Sequence, residues 1–99
     1  MNKSPYALDF LWHQIEVIKS NIKKPKYREL LNQIFENKDM VELFEKAKDK
    51  KTRNYQHGIL ERTASVGSLA LCMYDNYPTI DVDLLLIGII LSGFRDSLG

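Results

Sequence analysis

Cysteine is almost missing from this chain: Cys72 is the only one in 99 residues. An internal disulfide is therefore excluded. Proline and glycine are scarce as well, at three and five. So few turn formers favour helices over a sandwich or barrel, which need many tight turns. There are two histidines, His13 and His57, and neither has a metal-spaced partner. The net charge of +1 exerts no global pull toward nucleic acid or a membrane. The longest apolar run, LLLIGIIL at 84–91, is far short of the ~20 residues that span a bilayer. The first residues show no basic region followed by a long apolar run, so no signal peptide is expected. With a single thiol, that points to the cytoplasm. Cys72 itself lies among apolar neighbours and reads as a small core residue.

What remains is a chain with 44% hydrophobic and 27% charged residues, ordinary for one globular domain. Apolar residues recur at helical spacing, and no strand or repeat stands out. Ser4-Pro5 predicts a first helix, with Leu8, Leu11, Ile15, Ile18 and Ile22 as its apolar stripe and Trp12 widening it. A second helix is expected over about 25–37, with Tyr27, Leu30, Leu31, Ile34 and Phe35 inward. Asp39 and Glu42 have capping-box spacing for a third helix. Residues 48–56 read as a polar loop. The fold class is thus all-α, a bundle of about five helices over residues 1–99.

The organising stretch is 57–94, read as two helices joined by a turn. Ile59, Leu60, Thr63, Val66, Leu69, Ala70, Met73, Tyr74 and Tyr77 are expected to share one face of the first. Pro78 stops it. Asp81 is a good N-cap for the second helix, and Asp83 sits in its first turn. From Leu84 to Leu91 that second helix is apolar all round, which predicts a buried centre. Leu85 and Ile89 are expected to be buried against Val66, Leu69 and Met73.

This stretch resembles the metal-binding half of HD-domain phosphohydrolases, above all the YhaM-like 3′–5′ exoribonuclease group. Relaxase-associated HD domains are a second likeness. Gly58, Ile59, Leu60, Glu61 and Thr63 match the first block of the pattern. Tyr77 and Pro78 match its turn, and Asp83, Leu84, Leu85, Gly88 and Leu91 match its second block. The departures fall on the chemistry. The metal-binding His is Arg62 here, and the His-Asp pair is Ser92-Gly93. The following Gly-Lys is Arg95-Asp96, and the chain stops before the family's later helices. The likeness covers about 22–95, and implies the N-terminal half of an HD domain with its ligands lost.

Three functions follow as expectations. The first is a non-catalytic binding or regulatory module with a protein partner, such as an inhibitor or adaptor of a larger nucleic-acid enzyme. No metal or other cofactor is expected for it. The second is half of a metal-dependent phosphohydrolase or nuclease that a partner completes. Against it, Arg62, Ser92 and Gly93 supply no activated metal-bound water, and Cys72, Ser92 and Ser97 lie in no nucleophile setting. The third is an RNA or single-stranded-DNA binder using Lys23, Lys24, Lys26 and Arg28 with Lys50, Lys51 and Arg53. Charge runs are more often a solvated surface. Arg62 could hold an anion through paired hydrogen bonds or simply point to solvent. Because the family covers the second helix with later helices, Leu86, Ile90 and Phe94 are expected to form an uncovered flank. That flank would make a homodimer or a hetero-complex. The competing expectation is that the first helix, with Phe10 and Trp12, folds over it.

Overall fold

The apolar stripe at the start of the chain becomes helix α1, Leu8–Ser20, in the computed structural model, which describes residues 6–49 and 53–98. Leu11, Ile15, Ile18 and Ile22 are buried, as the spacing predicts. The expected start at Ser4-Pro5 lies outside the described residues. Helix α2, Pro25–Glu36, opens on Pro25, whose missing N–H costs nothing at that position. Leu31 is buried, Tyr27, Ile34 and Phe35 are half-buried, and Leu30 is exposed. Helix α3 is Lys38–Lys46. Its cap is Asn37 and not Asp39: the Asn37 side chain accepts the Met40 N–H at 3.2 Å. Asn37 has the extended backbone an N-cap needs, and Asp39 falls inside the first turn, where the helix dipole favours a carboxylate.

Two longer helices follow. Helix α4 is Gly58–Asn76 and α5 is Val82–Ser97. The connector at Tyr77-Pro78 turns the chain back, and the two pack as an antiparallel hairpin. Asp81 caps α5, its carboxylate accepting the Leu84 N–H at 3.2 Å. The described residues thus form an all-α bundle of five helices. Among the described residues the only β pairing is an isolated bridge between Asp49 and Arg53.

Helix α4 is the hub, touching α1, α3 and α5. Gly67 lets Ile18 of α1 approach the α4 backbone, since a Cβ there would overlap the Ile18 side chain. Gly93 does the same for α5, where a Cβ would stand 2.5 Å from Thr63 Oγ1. The other face of α5 at this level is aromatic. Phe94 stacks on Phe44 of α3 at 4.4 Å between centroids and meets Phe35 of α2 edge-on at 5.2 Å. Trp12 closes the cluster from α1, edge-on to both Phe35 and Phe44. Its indole N–H donates to Glu45 at 2.7 Å.

This cluster corrects the expected uncovered flank. Leu86 and Ile90 have no exposed surface and Phe94 has 3%. Helices α2 and α3 cover that side of α5, and Trp12 joins them, whereas Phe10 remains exposed. The expected packing of Val66, Leu69 and Met73 is also corrected. All three are exposed, at 43%, 61% and 45%, because the buried side of α4 is centred on Leu60, Thr63, Ala64 and Gly67, about 100° round the helix from Val66. Leu85 and Ile89, facing that side, are half-buried and not buried. Cys72 lies on the outer side of α4 and is exposed, not core.

Asp83 has a role beyond its helix dipole. Its carboxylate is buried and accepts the backbone N–H groups of Lys23 and Lys24 at 3.1 and 2.8 Å. These donors precede α2, so one side chain at the start of α5 fixes how α1 passes into α2. The Lys24 ammonium also pairs with Asp81 at 3.3 Å.

Candidate functional site

The apolar residues that α4 and α5 turn away from the core lie side by side. On α4, steps of three and four put Arg62, Val66, Leu69 and Met73 on one face. On α5 the same spacing aligns Leu84, Gly88 and Ser92, with Leu85 and Ile89 beside them. Between the two helices runs an open groove of about 490 Å³ lined by Arg62, Thr63, Val66, Asp81, Leu84, Leu85, Gly88, Ile89 and Ser92. Its wall is mostly apolar, and Leu84 at 56% exposure stands on its edge. Large apolar side chains exposed singly are ordinary, but a contiguous set around a cleft marks an interaction surface.

Sequence reasoning placed an exposed apolar surface on α5 and chose the wrong side of it. A helix apolar all round has no polar face to say which side meets solvent. The usable signal lay at the helix ends. Asp81, Gly88 and Arg95 are spaced by two turns each, and a charged or glycine position recurring at that step marks the outward strip.

Arg62 lies at one end of the groove. Of its two expectations, pointing to solvent does not hold; the guanidinium does hold anions, and they are carboxylates of the chain itself. It donates to Asp96 of α5 at 2.8 Å and to Asp49 at 3.4 Å. Asp49 is buried. Arg62 thus joins the loop before α4 to the end of α5. The Asp96 carboxyl is held below its ordinary pKa, chiefly by the hydrogen bond from Arg62, with Arg95 helping and partial burial opposing. Ser92 lines the groove beside Arg62 and accepts a bond from Arg95 at 3.3 Å. Gly93 points instead into the core, toward Thr63 and Phe44.

The loop side of α4 is closed by a second polar set. Glu61 is buried and accepts from Arg53 and from the Tyr55 hydroxyl at 2.6 Å. That bond holds the Tyr55 proton, raising its pKa, with burial adding. His57 adopts a left-handed backbone, φ 70°, just before α4, and its Nδ1 sits 2.5 Å from the Glu45 carbonyl. A carbonyl only accepts, so Nδ1 carries the proton there. Among the described residues, no three His, Cys, Asp or Glu side chains gather as a metal ligand set.

The described basic residues do not merge into one surface. Lys23, Lys24, Lys26 and Arg28 are exposed near the start of α5, where Lys24 pairs with Asp81. Arg53 lies near the start of α4, paired with Glu61. Because α4 and α5 are antiparallel, these are opposite ends of the hairpin, about 25 Å apart at 1.5 Å per helical residue. Lys50 and Lys51 lie outside the described residues. No described helix is long and apolar enough to cross a membrane.

No family model matches the chain, and no curated protein or solved structure matches it.

Proposed function

We propose that the protein is a non-catalytic, HD-like binding module that works through protein–protein contact, with the α4–α5 groove as its binding surface. The observation that carries this is the apolar surface of Val66, Leu84, Leu85 and Ile89 around that groove. A helix presented by a partner would bury these side chains, and helix-in-groove recognition uses apolar anchors of this spacing. The HD resemblance fits the same place. Two of its altered positions, Arg62 and Ser92, are at one end of the groove. A guanidinium has no lone pair for a metal, and here it sits between two carboxylates, where it balances their charge as a cation would. On this reading the scaffold keeps its surface and puts a fixed positive charge where the family holds its ion.

The completed-hydrolase reading is weaker, because Arg62 already occupies Asp49 and Asp96. The nucleic-acid reading is weaker, because Lys23, Lys24, Lys26 and Arg28 lie at one end of the hairpin and Arg53 at the other.

The test is capture of a protein partner on immobilised wild-type protein beside Leu84→Asp. Leu84 is exposed and outside the core, so this variant keeps its fold. Capture by the wild type and loss with Leu84→Asp supports the module. Capture that is indifferent to Leu84→Asp, or manganese-dependent hydrolysis of a phosphodiester by the purified chain, rejects it.

A further inference from the structure

We infer that the occupant of the groove is a second copy of this chain, docked with the two α5 helices antiparallel and crossing at Gly88. The inference rests on the binding-module reading and names its partner.

The argument begins with where α5 faces outward. At about 100° per residue, Asp81, Leu84, Gly88, Ser92 and Arg95 all fall within about 40° of one line along the helix. Leu86, Ile90 and Phe94 fall on the opposite side and are buried. The outward line therefore has a defined order: acid, leucine, glycine, serine, base.

Gly88 is the centre of that order, seven residues from Asp81 and seven from Arg95. It is exposed, and a Cβ built on it meets nothing within 4 Å among the described residues. Packing among the described residues gives no reason for a glycine there. Within a helix, glycine costs about 1 kcal/mol relative to alanine. Gly67 and Gly93 both have a side chain pressed against them, and Gly88 has none. A neighbour from outside the chain supplies the missing reason, since small residues let two helix backbones approach closely at a crossing.

Charge selects the neighbour. A two-fold axis through Gly88 sets Asp81 of one copy against Arg95 of the other, and repeats the contact at the far end. It sets Leu84 against Ser92, so a protruding side chain meets a small one. The helix dipoles oppose, which is favourable. A parallel arrangement would set like charge on like. Asp81 and Arg95 are both exposed, with side chains at 48% and 77%; Asp81 pairs with the exposed Lys24 and caps Leu84, and Arg95 reaches Ser92 and the partly exposed Asp96. The small net charge of +1 does not oppose self-association.

Sedimentation of the full chain over a concentration series, with charge reversals, tests this. The wild type is expected to be a reversible dimer. Arg95→Asp alone turns both end contacts repulsive and is expected to weaken the dimer about tenfold. Asp81→Arg alone is expected to do the same. Mixing the two variants brings the introduced carboxylate of one against the introduced guanidinium of the other, while the native pair meets at the opposite end. Both end contacts are then attractive, and affinity returns. Asp81→Arg also removes a helix cap, so an independent readout is needed. Leu84→Cys mixed with Ser92→Cys, each in a Cys72→Ser background, sets one thiol opposite the other beside the axis and leaves Gly88 in place. Mild oxidation is expected to link these two variants far faster than Leu84→Cys mixed with Ser65→Cys. A wild type that stays monomeric, or linking of 84 to 92 no faster than of 84 to 65, overturns the inference. If Leu84→Asp still abolishes capture of a different protein in that case, the module reading stands and only the identity of its partner fails.

Discussion

The two faces of α5 are made of nearly the same residues and behave oppositely. One face carries Leu86, Ile90 and Phe94, all buried against α3, α2 and the inner side of α4. The other carries Leu84, Leu85 and Ile89, open or half-open to solvent. Hydrophobicity alone does not distinguish them. The glycines do: Gly93 fits against Thr63 and Phe44, and Gly88 has free space. The lesson is that an all-apolar helix in a small domain need not be surrounded. It can be half core and half contact surface, and the fit around its smallest residues tells which half is which.

Truncation gives the largest separation of the two faces. Phe94→Ala removes the ring that links Phe44 and Phe35, and should cost about 3–5 kcal/mol. Leu84→Ala, a change of the same kind ten residues earlier, should cost under about 1 kcal/mol in the monomer, since an exposed side chain loses little. Urea melts at low protein concentration measure both. Equal costs would mean that the outward face is covered within the chain, and the comparison would fail.

A methyl group added to the inward glycine comes next. Gly93→Ala places a Cβ at 2.5 Å from Thr63 Oγ1 and 2.9 Å from Phe44. Helix α5 must shift or those side chains must move, at about 1–3 kcal/mol. The gain in helix propensity from removing a glycine, about 1 kcal/mol, offsets part of this. A melting temperature at or above that of the wild type would show that the α4–α5 contact has slack at Gly93.

Arg62→Met then tests the end of the groove. It leaves the buried Asp49 and the partly exposed Asp96 without this donor, and should cost about 1–3 kcal/mol. It should also change the acid response. Asp96 has a lowered pKa in the folded protein, so the unfolded state binds protons more readily. The stabilisation is therefore present above the unfolded value of about 3.9 and is lost as pH falls through the lower folded value. In Arg62→Met that loss should shrink, because the main cause of the depression is gone. Parallel acid loss in both proteins would show that Arg62 does not set this dependence.

How much of this was legible in the sequence follows the range of each interaction. Local signals read correctly: the α1 stripe of Leu11, Ile15 and Ile18, the stop at Pro78, and the cap at Asp81 all act within a few residues. Signals that depend on distant partners did not. Asp83 reads as a dipole residue from its neighbours, yet its donors are Lys23 and Lys24, some 60 residues away. Arg62 reads as an anion holder or a solvated side chain, and only the fold shows that the anions are Asp96 and Asp49 of the same chain. Val66, Leu69 and Met73 share a helical face by spacing, but spacing does not say which of two apolar faces α1 will cover. In α4 the decision was made by Gly67, which admits Ile18 on one side only. Asn37 took the cap expected for Asp39 because both are good capping residues close together in the chain, and local rules do not rank them.

The smallest effect concerns Gly88→Ala, and its sign depends on concentration. In the monomer the added methyl meets nothing within 4 Å among the described residues, so only helix propensity changes. That should stabilise α5 by up to about 1 kcal/mol. For a domain of this size 1 kcal/mol corresponds to a melting temperature about 4–8 °C higher, so a rise of a few degrees is expected in dilute solution. At a helix crossing the same methyl lies between two backbones, and by symmetry it appears twice. Dimer affinity should therefore fall while monomer stability rises. Thermal melts across a concentration range separate the two. The wild-type midpoint should climb with concentration, as mass action requires for an associating protein. The variant should start higher and climb less, so that the curves converge or cross. Two parallel lines would show that Gly88 faces only water, and the outward face of α5 would then have no use for its glycine.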